Sequence, residues 1–160
     1  MIRAATAADR DAVAALHLGS WRASYGAELD ADFLRDGLPG EMAAKWGARS
    51  FAWPEVVLVH EGEAGIDGFV CALADRDPPL IDNLHVRPGL TGRGTGAALL
   101  RAVREALAER GHPRSYLTVL ERNPRALAFY LREGGVDEGT VDDELVGRAV
   151  KARRIGFGAP

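Results

Sequence analysis

The residues with most to offer chemistry are small ones. Between Leu90 and Ala97 the chain reads LTGRGTGA, and Gly92, Gly94 and Gly96 strip the backbone of side-chain bulk at alternate positions. Successive N–H groups can then approach an anion closely, and Arg93 adds a cation at the same spot. One oriented N–H at an exposed helix end is worth only ~0.3–1 kcal/mol, so holding a pyrophosphate needs several of them converging. Glycines at this spacing permit the convergence, and the stretch reads as a phosphate cradle made of main chain.

Two elements must position that cradle. Upstream, Leu80 to Val86 (LIDNLHV) has the branched and alternating residues of a half-buried strand, and Pro88-Gly89 ends its ladder. Downstream, Leu99, Leu100, Val103 and Leu107 recur at helical spacing with Arg101, Arg104, Glu105 and Glu109 opposite, so a helix opens near Gly94.

The rest of the chain supplies a frame. Ile2 to Ala5 reads as an edge strand. Thr6 is an N-cap with Asp9 three residues on, and the helix it opens runs to about Gly19, with Val13, Leu16 and Ser20 on one face and packing through Val13 and Leu16. Trp21 and Tyr25 follow in SWRASYG, at a spacing that suits either core packing or the wall of a substrate pocket. Glu28, Asp30, Asp32 and Asp36 read as solvated surface, before a break at Gly37 to Gly40 and a short helix to about Ala48. Val56 to His60 and Ile66 to Ala74 form an antiparallel hairpin, continued by the strand at Leu80. Ser115 to Leu120 is a further strand. Asn123 and Pro124 are an N-cap and first-turn pair for a helix striped with Leu127, Tyr130 and Leu131, which Gly134-Gly135 ends. Two weaker strands are expected over Val136 to Val141 and Val146 to Ile155. The fold class is α/β with a mixed sheet: antiparallel early, a parallel crossover in the middle, antiparallel again at the end.

Composition narrows the function. At 160 residues, residues 1–160 are expected to form one domain with a core that needs no disulfide or metal. No apolar run approaches the ~20 residues of a membrane span, and MIRAATAADRD does not read as a signal peptide. The single cysteine, Cys71, excludes an intrachain disulfide and fits a reducing compartment, so the cytoplasm is expected. A net charge of −3 with scattered arginines argues against nucleic acid as partner. The histidines stand apart and no C-x-x-C or H-x-x-x-H pair exists, so no metal is expected.

Three glycine-loop chemistries compete for GRGTGA. A P-loop wants Lys-Ser/Thr after its last glycine, and there is none. Gly92, Gly94 and Ala97 satisfy the dinucleotide fingerprint G-x-G-x-x-G/A, with Glu121 as a conceivable ribose ligand; yet five residues including Pro88 separate Val86 from Gly92, where that motif wants glycine directly after its strand.

The third option accounts for more residues. LHVRPGLTGRGTGAALL resembles motif A of the GNAT N-acetyltransferase superfamily, in which L-x-V-x-P precedes a Q/R-x-x-G-x-G/A loop and a helix, with Thr91 here at the Q/R position. Asn123, Ala126, Phe129, Tyr130 and Gly134 are similarly spaced to the family's helix after the fifth strand, and the N-terminal IRAATAADRDAVAALHLGSW…Y looks like its opening strand and first helix. The resemblance implies a GNAT-like mixed, centrally splayed β-sheet flanked by helices, and transfer of acetyl from acetyl-CoA to a small-molecule amine or to a protein N-terminal or lysine amine. It places pyrophosphate on Thr91, Gly92, Arg93, Gly94, Thr95, Gly96 and Ala97, and pantetheine along the backbone of Leu84, His85 and Val86. Asn123 is implied to bond the coenzyme or to splay the two central strands, and Tyr130 to protonate the leaving thiolate.

The base does not carry over, because the position of the family's strand-four glutamate is Leu80. A lysine-like amine costs about 4–5 kcal/mol to deprotonate at pH 7, so the site must desolvate it or offer a base. Strand alternation puts Asp82 on the face of Leu84 and Val86, making it the candidate; Glu121 is second, and a water chain could replace either. Trp21 and Tyr25 are the candidate acceptor-pocket walls. An acyl-CoA-binding module without transfer and a dinucleotide-binding oxidoreductase remain the alternatives, and exposed C-terminal strands could pair two copies as a homodimer.

Overall fold

The β-branched run at Val56 sorts itself onto the two faces of a sheet. Val57 and Val59, with Phe69, Cys71 and Leu73 of the next strand, bury against the first helix and Trp46. Val56, Val70 and Ala72 bury on the opposite face against Leu99, Leu100, Val103 and Leu107. Alternation along a strand is what produces two apolar faces from one sequence, and helices cover both.

The computed structural model describes residues 1–27 and 29–160. Its strands are β1 (Ile2–Ala4), β2 (Glu55–Gly62), β3 (Gly65–Leu73), β4 (Leu80–Val86), β5 (Ser115–Leu120), β6 (Val136–Leu145) and β7 (Arg148–Phe157). Its helices are α1 (Arg10–Tyr25), α2 (Leu38–Gly47), α3 (Thr95–Glu109) and α4 (Pro124–Arg132). The sheet order is β1-β2-β3-β4-β5-β7-β6. Every neighbouring pair is antiparallel except β4 and β5, which the α3 crossover makes parallel. The last strand returns to lie between β5 and β6, a placement the weak patterning of the C-terminal region does not foretell.

Two helical expectations are corrected. The first helix does not end near Gly19 but continues to Tyr25, so Trp21 and Tyr25 are helical residues. A mid-helix glycine costs ~1 kcal/mol relative to alanine, and here the packed face through Val13, Leu16, His17 and Ser20 outweighs it. Gly37 to Gly40 is likewise no break: a π-helical turn over Phe33–Gly37 runs directly into α2. Thr6 and Asp9 form the anticipated capping box, with the Thr6 N–H donating to Asp9 Oδ2 at 2.8 Å, ahead of a 3-10 turn over Ala7–Asp9. Asp30 accepts from the backbone N–H groups of Asp32 and Phe33, while Asp32 and Asp36 pair with exposed Arg35; Glu28 lies outside the described residues.

No described helix is long and apolar enough to cross a membrane.

Candidate functional site

The site begins with a strand that loses its partner. β4 and β5 pair only at Leu80 and Tyr116, where the Tyr116 N–H donates to the Pro79 carbonyl at 3.1 Å. Beyond that point the two diverge, and the β4 edge from Asp82 to Val86 is left open toward β5. On its other side β4 carries a bulge: Ala72 pairs with Ile81 and Cys71 with Asn83, so Asp82 is an extra residue with no opposite number. A bulge bends its strand and re-aims the side chains around it.

That re-aiming corrects the alternation argument. Ile81 and Leu84 both pack on the α3 face, and Val86 lies beside Gly96 at the start of α3. Asp82 instead turns to the α2 side, where its Oδ2 accepts from Arg49 Nη2 at 2.9 Å and Asn83 Nδ2 at 2.8 Å and lies 3.4 Å from Lys45 Nζ. The expectation that Asp82 shares a face with Leu84 and Val86 therefore fails, because the inserted residue shifts the period by one. Glu121, the second candidate base, accepts from Thr140 Oγ1 at 3.0 Å and lies 3.8 Å from Arg153, on the β6–β7 hairpin.

The glycine loop follows β4 after residues 87–91. Gly92 and Gly94 hold φ of +80° and +85°, a left-handed backbone that a Cβ strains, although a side chain there would meet nothing in space. Gly94 is the N-cap of α3, and the Ala98 N–H closes the first turn on its carbonyl at 3.0 Å. The N–H groups of Thr95, Gly96 and Ala97 precede that ladder, as the first N–H groups of any helix do. Thr91, Gly92, Arg93 and Gly94 are exposed around them. Gly96 is different: a Cβ there would sit 3.5 Å from Phe129, an ordinary contact, so neither its conformation nor its surroundings demand glycine. An exposed cluster of N–H groups beside an open strand edge fits a ligand with a pyrophosphate head and an amide-bearing arm, the arm completing β4 as an added strand.

Opposite the open edge stands α4. Asn123 Oδ1 accepts the Ala126 N–H at 3.1 Å and Pro124 takes the first turn, so the cap reads as its sequence suggests. Tyr130 packs with Leu127 and Phe129 against the α3 cluster. Burial, and then Tyr25, push its phenol pKa upward, which keeps it a hydroxyl donor. Tyr25, on α1, is thus within electrostatic range of Tyr130 on α4. Trp21 packs edge-on against Tyr25 with ring centroids 4.9 Å apart, so the predicted pocket walls and Tyr130 occupy one neighbourhood.

His85 is packed, not exposed. Its ring lies 4.6 Å from that of His17 and 5.4 Å from that of Phe69, on the α1 side of β4. His17, fully buried, accepts at Nδ1 from the Trp46 indole N–H at 3.0 Å. Sequence reasoning passed over His17. Its signal was its place on the packed face of α1, four residues from both Val13 and Trp21. Among the described residues no group of His, Cys, Asp and Glu is arranged to hold a metal.

With this geometry in place the class follows. Residues 11–135 match the Acetyltransferase (GNAT) family, and the chain belongs to it. It is 27% identical over 165 residues to the uncharacterised N-acetyltransferase YuaI of Bacillus subtilis, spanning 99% of this chain and 92% of that one. Over 86 residues, 52% of this chain and 54% of the relative, it is 39% identical to the uncharacterised N-acetyltransferase Rv2669 of Mycobacterium tuberculosis. Its fold is that of the PaiA N-acetyltransferase of Thermoplasma acidophilum solved with coenzyme A, at TM-score 0.81 and 15% identity over 99% of this chain and 98% of that one. The yncA acetyltransferase of Salmonella typhimurium, solved with acetyl-CoA, superposes at TM-score 0.73 and 18% identity over 99% and 92% of the two chains. The protein is a GNAT acetyltransferase, with acetyl-CoA as its donor.

Proposed function

We propose that the acetyl group passes to the nitrogen of a primary amine, of a small molecule or a protein N-terminal or lysine residue, by direct attack on the thioester. The observation that carries this reading is the splay itself: an open β4 edge with the glycine loop at one end and a half-buried, protonated Tyr130 across from it. The bound donor supplies a thioester carbonyl; the chain supplies position and protons. Backbone N–H groups from Gly92 to Ala97 hold the pyrophosphate with Arg93 adding charge, and the backbone of Leu84, His85 and Val86 orients the arm. Asn123 keeps the first turn of α4 in register beside it. Trp21 and Tyr25 wall the acceptor side and exclude water.

Asp82 is the proposed base. It lies on the α2 side of the sheet with α1, which carries Trp21 and Tyr25, and the bonds and ion contacts it makes all go to Oδ2. As the nitrogen attacks, Asp82 receives its proton directly or through water, the carbonyl reforms, and Tyr130 donates its hydroxyl proton to the departing sulfur. Buried Cys71, its thiol pushed up to about 12 by burial, is compatible with the cytoplasm, and the free edge of β6 offers a surface on which two copies would pair. The test is a panel of amines assayed by free-thiol release, with acetyl-CoA hydrolysis in the absence of amine as the control. Thiol release unchanged by every amine would sink the reading.

A further inference from the structure

A groove of about 360 Å³ runs between α3 and the end of α4. Ala97, Arg101 and Arg104 line it from α3, and Arg132 and Glu133 line it from α4. Arg101 and Arg132 are exposed, and neither has a hydrogen bond, ion pair or ring contact among the described residues. Arg104 is half-buried and held in place: its Nη2 donates to the Gly158 carbonyl at 3.2 Å, and its guanidinium lies 4.9 Å over the Phe157 ring. A carbonyl and a ring fix that cation without cancelling its charge. The carbonyls that end α4 are already taken, those of Phe129, Tyr130 and Leu131 accepting the N–H groups of Glu133, Gly135 and Gly134 at 3.0, 2.9 and 3.2 Å. The groove therefore carries net positive charge, with two of its cations unanswered.

Its place along α3 matters as much as its charge. Ala97 belongs both to this groove and to the run of N–H groups that opens the helix. Arg101 follows Ala97 by four residues, about one turn or 5.4 Å on, and helical side chains lean toward the N-terminus, so Arg101 leans back toward the glycine loop. Arg132 lines the facing side. An anion held here sits beside one held by the loop, yet apart from it. Coenzyme A carries two such anions, a pyrophosphate and, across its ribose, a 3′-phosphate monoester with a charge of about −1.5 to −2 at pH 7.

We propose that Arg101 and Arg132 bind the 3′-phosphate of the coenzyme, so that the enzyme discriminates coenzyme A from its 3′-dephospho form, with Arg104 a fixed charge behind them. This rests on the loop from Gly92 to Ala97 holding the pyrophosphate, and gives the coenzyme a second anchor. Guanidinium meets phosphate oxygens through parallel N–H bonds, a match of shape as well as charge. Both arginines are exposed, so their contribution weakens as salt rises.

The test is calorimetric titration of the full chain with coenzyme A and with 3′-dephospho-coenzyme A, which differ in this phosphate alone, at low and at high salt. Coenzyme A should bind at least about fivefold more tightly at low salt, a difference of ~1 kcal/mol, and the ratio should shrink at high salt. With Arg101→Gln and Arg132→Gln combined, coenzyme A should fall to the affinity of the dephospho form, whose own binding stays as it was. A merely structural role for the two arginines would weaken both ligands alike. A smaller ratio in the unaltered protein, a preference that persists in the doubly substituted one, or equal losses for both ligands overturns the proposal and leaves the cradle standing, because both ligands still bind through their pyrophosphate. If neither ligand binds the unaltered protein, the cradle and this site fall together.

Discussion

The indole N–H of Trp46 donates to Nδ1 of His17 at 3.0 Å, in the fully buried layer between α1, α2 and the sheet. An indole can only donate, so the imidazole is neutral and its proton is on Nε2. Nε2 has no partner among the described residues.

This relationship makes stability depend on pH. Burial first, then the charges of His85 and Lys45, hold His17 at about 2, and burial with Lys45 holds His85 at about 4, against an ordinary 6.5. Above pH 6.5 folded and unfolded chains carry the same protons at these rings. From 6.5 down to about 4 the unfolded chain takes up protons that the folded chain refuses, so stability falls as pH falls, toward ~1.4 kcal/mol per pH unit for each histidine; below 4 only His17 still contributes. Scanning calorimetry should show Tm dropping between pH 7 and pH 5, and dropping less in His85→Asn. A Tm flat over that range would contradict the buried, neutral pair.

Tyr130→Phe keeps the ring that packs against α3 and deletes the hydroxyl proposed to protonate the leaving thiolate. Turnover should fall at least roughly tenfold, the low end for a positioned acid, with coenzyme affinity nearly unchanged. Steady-state rates and a coenzyme titration separate the two effects. Equal turnover in both proteins removes Tyr130 from the mechanism.

Gly94→Val places a β-branched residue at φ +85°, which costs ~1–3 kcal/mol locally and moves the N–H groups that open α3. Coenzyme A should then give no thermal shift. Gly96→Ala, whose new methyl meets Phe129 only in ordinary contact, should bind coenzyme A almost normally. Retained binding in Gly94→Val would undo the cradle.

Asp82→Asn preserves the shape of the bulge residue but leaves Arg49 and Lys45 facing an amide. If Asp82 is the base, kcat falls roughly tenfold or more at unchanged coenzyme affinity. A purely structural Asp82 would show the opposite pattern, a lower Tm with kcat intact.

The parts legible in the sequence were those governed by neighbours along the chain. The glycine loop, the Asn123-Pro124 cap, the stripe of α3 and the β2–β3 hairpin depend on local backbone preference and short periodicity, and each stands where its residues predict. Gly19 and Gly37 misled because a glycine's local cost of ~1 kcal/mol is smaller than the burial energy of the faces on either side of it. The side of Asp82 was lost to a single inserted residue, which reverses a period of two.

What the sequence determined by itself, then, is a glycine-rich loop between a strand and a helix, together with a capped helix carrying Tyr130, because spacing and backbone freedom are properties of contiguous residues. The tertiary structure alone decided that β7 lies between β5 and β6, that Asp82 turns to Arg49 and Lys45, and that His17 meets His85. These are contacts between distant segments, chosen by which apolar faces can be buried together and by one bulge, and no local pattern encodes them.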